Sequence, residues 1–293
     1  MPTGGMYGVV TRNAEETEWE EFDLAFYEVK DVTGRSAAPI ETAVSMVSCF
    51  GDNAAAEDNP ELVPVDREGR PATRDRTYFD WAYICPTHDR YREGLLEIVE
   101  DAAAVTPDVR LDDVGFPRPE FCHCERCDQR FEAWVDRRSD VEDGDASGSS
   151  TDGARFEWRA EVITDFVREA TDRIPGKTYL TLYPDPYEGH LYERAGIDLA
   201  ALEPLVDEFV VPLYDIHYGT TYWLEIIASA FADRLETPLS IELYAVNVDV
   251  DALIHATEVA AAYGEAVLFG YDASNARAAL RRMDADSRDG VEW

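Results

Sequence analysis

The chain has almost no lysine: only Lys30 and Lys177 stand among its 26 basic residues, against 61 acidic ones. The net charge of −35 argues against nucleic acid and anionic membranes as partners, since such a surface repels both. An acidic, lysine-poor surface spread along the whole sequence fits adaptation to high salt, where charge is screened over a few ångströms. No window approaches ~18 uninterrupted apolar residues, so no membrane span is expected. The opening MPTGGMYGVVTRNAEETEWEEF has no basic segment leading into an apolar run, so a cytoplasmic protein is expected. No G-x-G-x-x-G turn follows the first strand candidate, which weakens a dinucleotide-binding sheet. There is also no G-x-S-x-G elbow and no H-x-H pair at the first strand. His217 beside Asp215 therefore gives little support to a triad or a His-bound catalytic metal.

What remains is a chain that is 45% apolar, enough for a substantial core. Short β-branched or aromatic runs fall at Met6–Val10, Phe22–Tyr27, Ala43–Cys49, Val109–Val114, Thr178–Tyr183, Phe209–Tyr214, Leu239–Tyr244 and Ala266–Phe269. Several are followed by helical periodicity, most clearly DVDALIHATEVAAAYGE, DRYREGLLEIVEDAAAV and FEWRAEVITDFVREATDRIPG. Eight strands alternating with helices predict an α/β fold, a closed (β/α)8 TIM barrel, as a single domain over 1–293. Two insertions interrupt it. Residues 51–80 are polar and scattered with proline and glycine, and are expected to form a long loop after the third strand. Residues 139–154 are acidic and Gly/Ser-rich, with nothing to bury, and are expected to be a surface loop.

Cysteine is scarce but clustered. Cys122, Cys124 and Cys127 make C-x-C-x-x-C, and only Cys49 and Cys85 lie elsewhere. A loop entering a helix can turn three such thiolates toward one zinc ion, with Phe131, Trp134 and Val135 on the inner side of that helix. Cys85, Cys49, His123 and His88 are candidates for the fourth ligand, Cys85 first. Buried thiols, a redox couple and an iron–sulfur cluster are the competing readings.

The order C … C-x-C-x-x-C-x-x-x-F-x-x-W, at Cys85, Cys122, Cys124, Cys127, Phe131 and Trp134, resembles glycoside hydrolase family 42 β-galactosidases and related uncharacterised glycosidase-like barrels. The likeness covers roughly residues 80–137, and elsewhere rests on strand order. It implies structural zinc in a pinned loop after the fourth strand, a carbohydrate ligand, and an acid/base at the end of strand four with a nucleophile at the end of strand seven. Carried over, Asp113 stands at the acid position and Glu242 at the nucleophile. Asp112–Asp113 replaces the family's Asn-Glu pair, so the acid is one methylene shorter and Asp112 competes with Asp113 for the role. If strand alternation holds, only one of the two faces the barrel interior. The family assembles as trimers, so a homo-oligomer is open, although this chain is short for it.

Catalysis in such barrels sits at the C-terminal strand ends. There the sequence also offers Asp185, Asp215 and Asp272, with Trp81, Tyr183, Tyr214 and Tyr244 as rings suited to the faces of sugars. Two carboxyl groups flanking one bond are the requirement for glycoside hydrolysis, here with retention. A barrel that only binds carbohydrate is the second expectation. A non-glycosidic barrel enzyme is the third, with Lys30 and Lys177 as its few Schiff-base candidates.

Overall fold

The computed structural model describes residues 5–139, 151–214 and 221–289. Eight strands form one closed barrel: β1 (Met6–Thr11), β2 (Leu24–Lys30), β3 (Val44–Ser48), β4 (Val109–Asp112), β5 (Thr178–Thr181), β6 (Glu208–Leu213), β7 (Leu239–Tyr244) and β8 (Ala266–Gly270). Each pairs in parallel with the next, and β8 closes on β1 through Met6–Val10. The helices described are α1 (Asn53–Asp58), α2 (Asp89–Ala103), α3 (Glu125–Ser139), α4 (Thr151–Thr171), α5 (His190–Ala195), α6 (Leu199–Leu202), α7 (Tyr222–Arg234), α8 (Val250–Ala261) and α9 (Ala273–Asp289). Among the described residues, none is long and apolar enough to cross a membrane.

Two crossovers depart from strict strand–helix alternation. Residues 12–23 hold only a 3-10 turn at Ala14–Glu18, and residues 31–43 hold no helix. Trp19, Phe22, Ala37 and Ile40 from these short connections cover the outer faces of β1 and β2 instead. Gly34 sits at φ +86°, and a Cβ there would stand 2.4 Å from Ala54, so the tight packing of this loop on α1 requires glycine.

Side-chain alternation splits the core in two. Val10, Phe26, Val44, Met46, Tyr179, Val210, Ala266 and Leu268 fill the barrel, while Val47, Leu111, Leu180, Val211, Ile241 and Phe269 face the helical layer. The segment expected as a long polar loop, 51–80, is more ordered than that. Asp52 caps α1 by accepting from Ala55 N at 2.9 Å, and Ala56, Leu62, Val63, Ala82 and Ile84 make a small core of their own. In the expected loop 139–154, Ser139 closes α3 and residues 151–154 open α4; residues 140–150 lie outside the described residues.

Candidate active site

At the C-terminal end of β7, Glu242 is an inward-facing carboxylate with no solvent exposure. Its Oε2 lies 2.5 Å from Arg110 Nη2, and its Oε1 accepts from the Tyr214 hydroxyl at 2.5 Å. Arg110 is itself fully buried, donates from Nε to Thr181 Oγ1 at 2.9 Å, and lies 5.3 Å over the Phe26 ring. Burial pulls the guanidinium pKa down, but the charges of Glu242, Asp112, Tyr214 and Tyr271 together outweigh it, so Arg110 stays above its ordinary value. Removing one member of such a buried pair leaves an uncompensated charge, at a cost of about 3–5 kcal/mol. Gly270 on β8 keeps space beside the carboxylate: a Cβ there would come within 3.0 Å of Oε1. The phenol of Tyr214 is raised by burial and then by the adjacent Glu242 charge.

Asp112 and Asp113 do not divide by alternation as expected. Arg110 and Asp112 share the inward face of β4, and Asp112 acts electrostatically on Arg110, Tyr214 and Tyr271. Asp113 lies just past the strand at φ +51°, a left-handed backbone that few aspartates adopt. That turn carries its carboxyl to Ser48 Oγ, which donates to Oδ2 at 2.5 Å from the inner face of β3. Both acids therefore reach the mouth. Enclosure of the carboxyl, then the negative charge of Asp112, raise Asp113 to about 8, with the Ser48 hydrogen bond and Lys30 opposing. Lys30 has its three donors engaged, by Asp52 at 3.1 Å, Ser48 O at 2.8 Å and Gly51 O at 3.2 Å.

The aromatic rim is distributed unevenly. Tyr214, Tyr244 and Tyr271 form a chain of rings with centroids 5.3 and 6.2 Å apart beside Glu242. Tyr183 is exposed and carries Arg194 at 3.7 Å over its ring. Trp81 packs near Tyr83 at 5.9 Å and against Gly51 in the loop after β3. Asp185 is taken up with its own loop, accepting from Tyr187 N at 3.2 Å and meeting His190 Nδ1 at 3.0 Å. Asp272 accepts from Asn275 N at 3.0 Å at the start of α9, as a capping residue does. Asp215 and His217 lie outside the described residues. Arg110, Ser48, Glu28 and Arg12 are members of the mouth that the sequence reading passed over. Glu28 is buried on β2, ion-paired to Arg12, and accepts from Tyr271 OH at 3.0 Å.

The cysteine cluster lies outside the barrel, three of its members in loops and Cys127 in the first turn of α3. The sulfurs of Cys85, Cys122, Cys124 and Cys127 all fall within 4.8 Å of one another, Cys85 and Cys127 at 3.4 Å. Zinc–sulfur bonds of about 2.3 Å in a tetrahedron put sulfurs about 3.8 Å apart, so four thiolates in this span fit a metal ion. Thr87 Oγ1 lies 3.2 and 3.3 Å from the sulfurs of Cys85 and Cys127, and Cys124 N donates to Cys122 Sγ at 3.3 Å. None of the other fourth-ligand candidates is in this four-sulfur group; His88 stands just before α2, its Nδ1 buried and without a hydrogen-bond partner among the described residues. Cys49 is buried against Val47 O, and His123 faces Asp128 and Arg67. The cluster joins the approach to α2 with the loop after β4, which Arg159 ties to α5 by bonds to the carbonyls of Arg118 and Pro119 in the loop and of Glu193 and Arg194 in the helix.

No protein-family model matches the sequence, and no curated protein matches it. Among solved structures, α-L-fucosidase isoenzyme 2 from Paenibacillus thiaminolyticus superposes with a TM-score of 0.61 at 12% identity. The match covers 98% of this chain and 50% of the fucosidase, so the chain spans about half that enzyme's length. An α-amylase from Lactobacillus plantarum matches more loosely, with a TM-score of 0.46, 11% identity, and coverage of 92% of this chain and 71% of the amylase. The fucosidase likeness establishes a shared barrel and carries no information about the reaction.

Proposed function

We propose that the protein is a glycoside hydrolase working with two carboxyl groups at the barrel mouth, Glu242 as the ionised one and Asp113 as the proton donor. The contrast between these two carboxyls carries the reading. Glu242 faces a fully buried guanidinium, the partner of a carboxylate anion. Asp113, raised to about 8, holds a proton at neutral pH. Two acids set to opposite protonation states are what glycosidic cleavage needs.

In this mechanism Glu242 attacks the anomeric carbon while Asp113 gives its proton to the leaving oxygen. The C–O bond breaks and a glycosyl ester of Glu242 forms. Water then attacks the same carbon as Asp113 takes back a proton, freeing Glu242 and giving net retention. Burial, and after it the charge of Asp112, keeps Asp113 protonated, and Asp112 is the second choice as donor. Tyr214 and Tyr244 offer a ring surface to the sugar. The engaged donors of Lys30 count against a Schiff-base reaction. The four cysteines would hold structural zinc, as in the family 42-like barrels, tying together the loops after β3 and β4; no chemical step runs through it.

The test is a panel of 4-nitrophenyl glycosides, galactosides and fucosides included, assayed at low and high salt. Turnover of at least one, lost in Glu242→Gln and giving first the retained anomer by NMR, is the expected result. Saturable sugar binding with no turnover would move the protein to the non-catalytic binding barrel.

A further inference from the structure

Glu28 and Glu242 have partners of the same kinds. Each is a glutamate within an apolar strand, facing inward near the C-terminal end, with 4% and 0% exposure. Each sets Oε2 on an arginine, Arg12 for Glu28 and Arg110 for Glu242. Each accepts at Oε1 from a tyrosine hydroxyl, Tyr271 at 3.0 Å and Tyr214 at 2.5 Å. The arc Tyr214, Tyr244, Tyr271 joins the two carboxylates around the β6–β8 side of the mouth.

A second observation lies between them. Arg110 stacks over Phe26, two residues before Glu28, while its Nη2 reaches Glu242 on β7. Its Nη1 is buried with no hydrogen-bond partner among the described residues. A buried donor without an acceptor is costly, and an acceptor atom on a ligand would satisfy it. Glu28 supplies the complement, because an ionised carboxylate has about four lone-pair sites and only two are used here. Balancing Arg12 does not account for the burial of Glu28, since that arginine side chain is 46% exposed and reaches Asp31 at 3.3 Å as well.

We propose that Glu28 is a second substrate-binding carboxylate. With Arg110 Nη1 it takes adjacent hydroxyls of the sugar ring that presents its anomeric carbon to Glu242. One hydroxyl donates to Glu28, and a neighbouring oxygen accepts from Arg110. Glu28, Asp112 and Glu242 outnumber Arg12 and Arg110, so the ligand class is a neutral sugar with a vicinal diol, and uronates and sugar phosphates are disfavoured. The inference rests on the glycosidase reading and adds to it the residue that reads the sugar hydroxyls.

The experiment uses the best 4-nitrophenyl glycoside of the panel and its monodeoxy analogues, with wild type, Glu28→Gln and Tyr271→Phe. Glu28→Gln is expected to raise KM about tenfold or more, the scale of a hydrogen bond to a charged group, with a smaller change in kcat. Removing the hydroxyl that Glu28 reads should cost the wild type about tenfold in KM and Glu28→Gln about twofold or less. A merely structural role would leave the deoxy penalty equal in both proteins. A folded Glu28→Gln with KM within twofold of wild type, or equal deoxy penalties, overturns the inference. Should Glu28→Gln not fold, Tyr271→Phe keeps the ring and both arginine pairs and carries the same comparison, with a smaller deoxy penalty than wild type expected and an unchanged one overturning. If Glu242→Gln abolishes turnover while Glu28→Gln leaves KM unchanged, only this inference falls. If no panel sugar is bound or hydrolysed by the wild type, both readings fall together.

Discussion

Glu242 at the mouth of the barrel and Glu208 at its floor are both buried, inward-facing glutamates on neighbouring strands. Their partners differ in kind. Glu208, the first residue of β6, takes the Ser240 hydroxyl and lies 4.0 Å from Lys177, whose side chain is 58% exposed. Its charge is answered by a hydroxyl and by a cation in contact with water. Glu242 is answered by a fully buried arginine and by Tyr214, which is itself 37% exposed at the mouth. Burial therefore does not mark a working acid by itself. On the proposed reading, the difference is a buried arginine partner at the end of the barrel where loops and ligands meet.

The largest effect expected from breaking this contrast is Glu242→Gln, which should lower kcat by about 10⁴-fold or more if Glu242 is the nucleophile. Asp113→Asn should follow, at about 10²–10⁴-fold, the usual reach of a general acid. The pH profile separates it from a folding defect. With Asp113 at about 8, the acid form is lost above that pH, so wild-type kcat/KM should fall tenfold per unit on the alkaline side. That limb belongs to the Asp112–Asp113 pair, and its survival in Asp113→Asn would remove Asp113 from the role. Stability carries the same sign. The folded state keeps this proton longer than the unfolded chain, so its contribution is fully present below the ordinary value of 3.8 and is lost as pH rises to about 8.

The strands were legible because their apolar runs are short and well separated, and all eight predicted runs coincide with observed strands to within a few residues. The two crossovers lacking an α-helix were less so, since short apolar contacts such as Trp19 and Ile40 have no period to detect. In the site, Glu242 stood out as a charge inside an apolar strand. The same signal is present in LAFYEVK for Glu28 and in VRLD for Arg110. The partnership of the two acids at 112 and 113 was not legible, because it depends on a positive φ at Asp113 that alternation cannot anticipate. Cys85 as the fourth member of the thiol cluster was readable from the motif order, and the structure brings the four together.

The cysteine cluster extends the contrast to a region where stability, and not turnover, should respond. Protein purified without added metal should carry about one equivalent of zinc, and less than about half an equivalent with four titrating thiols would remove the assignment. Cys124→Ser should lower the unfolding midpoint by roughly 10 °C, because a structural metal contributes folding free energy directly. Turnover well below that midpoint should stay within about twofold of wild type, on the same reasoning. A variant as stable as the parent but inactive would place the cluster in the chemistry instead.

Glu208→Gln is the smallest expected effect and the sharpest control on the comparison. Glutamine can still accept from Ser240, and the long pairing with a mostly exposed lysine is worth about 0–1 kcal/mol. Burial raises the Glu208 carboxyl, with Ser240 and Lys177 opposing, so its stabilising contribution is present below the ordinary 4.5 and declines as pH rises. Relative to wild type, Glu208→Gln should therefore gain slightly in stability between pH 4 and pH 8, with turnover within about twofold, since the floor of such a barrel serves stability. A turnover loss approaching that of Glu242→Gln would mean that the floor and the mouth act as one charged network through Arg110, and that the position along the strand does not separate structural from working acids here.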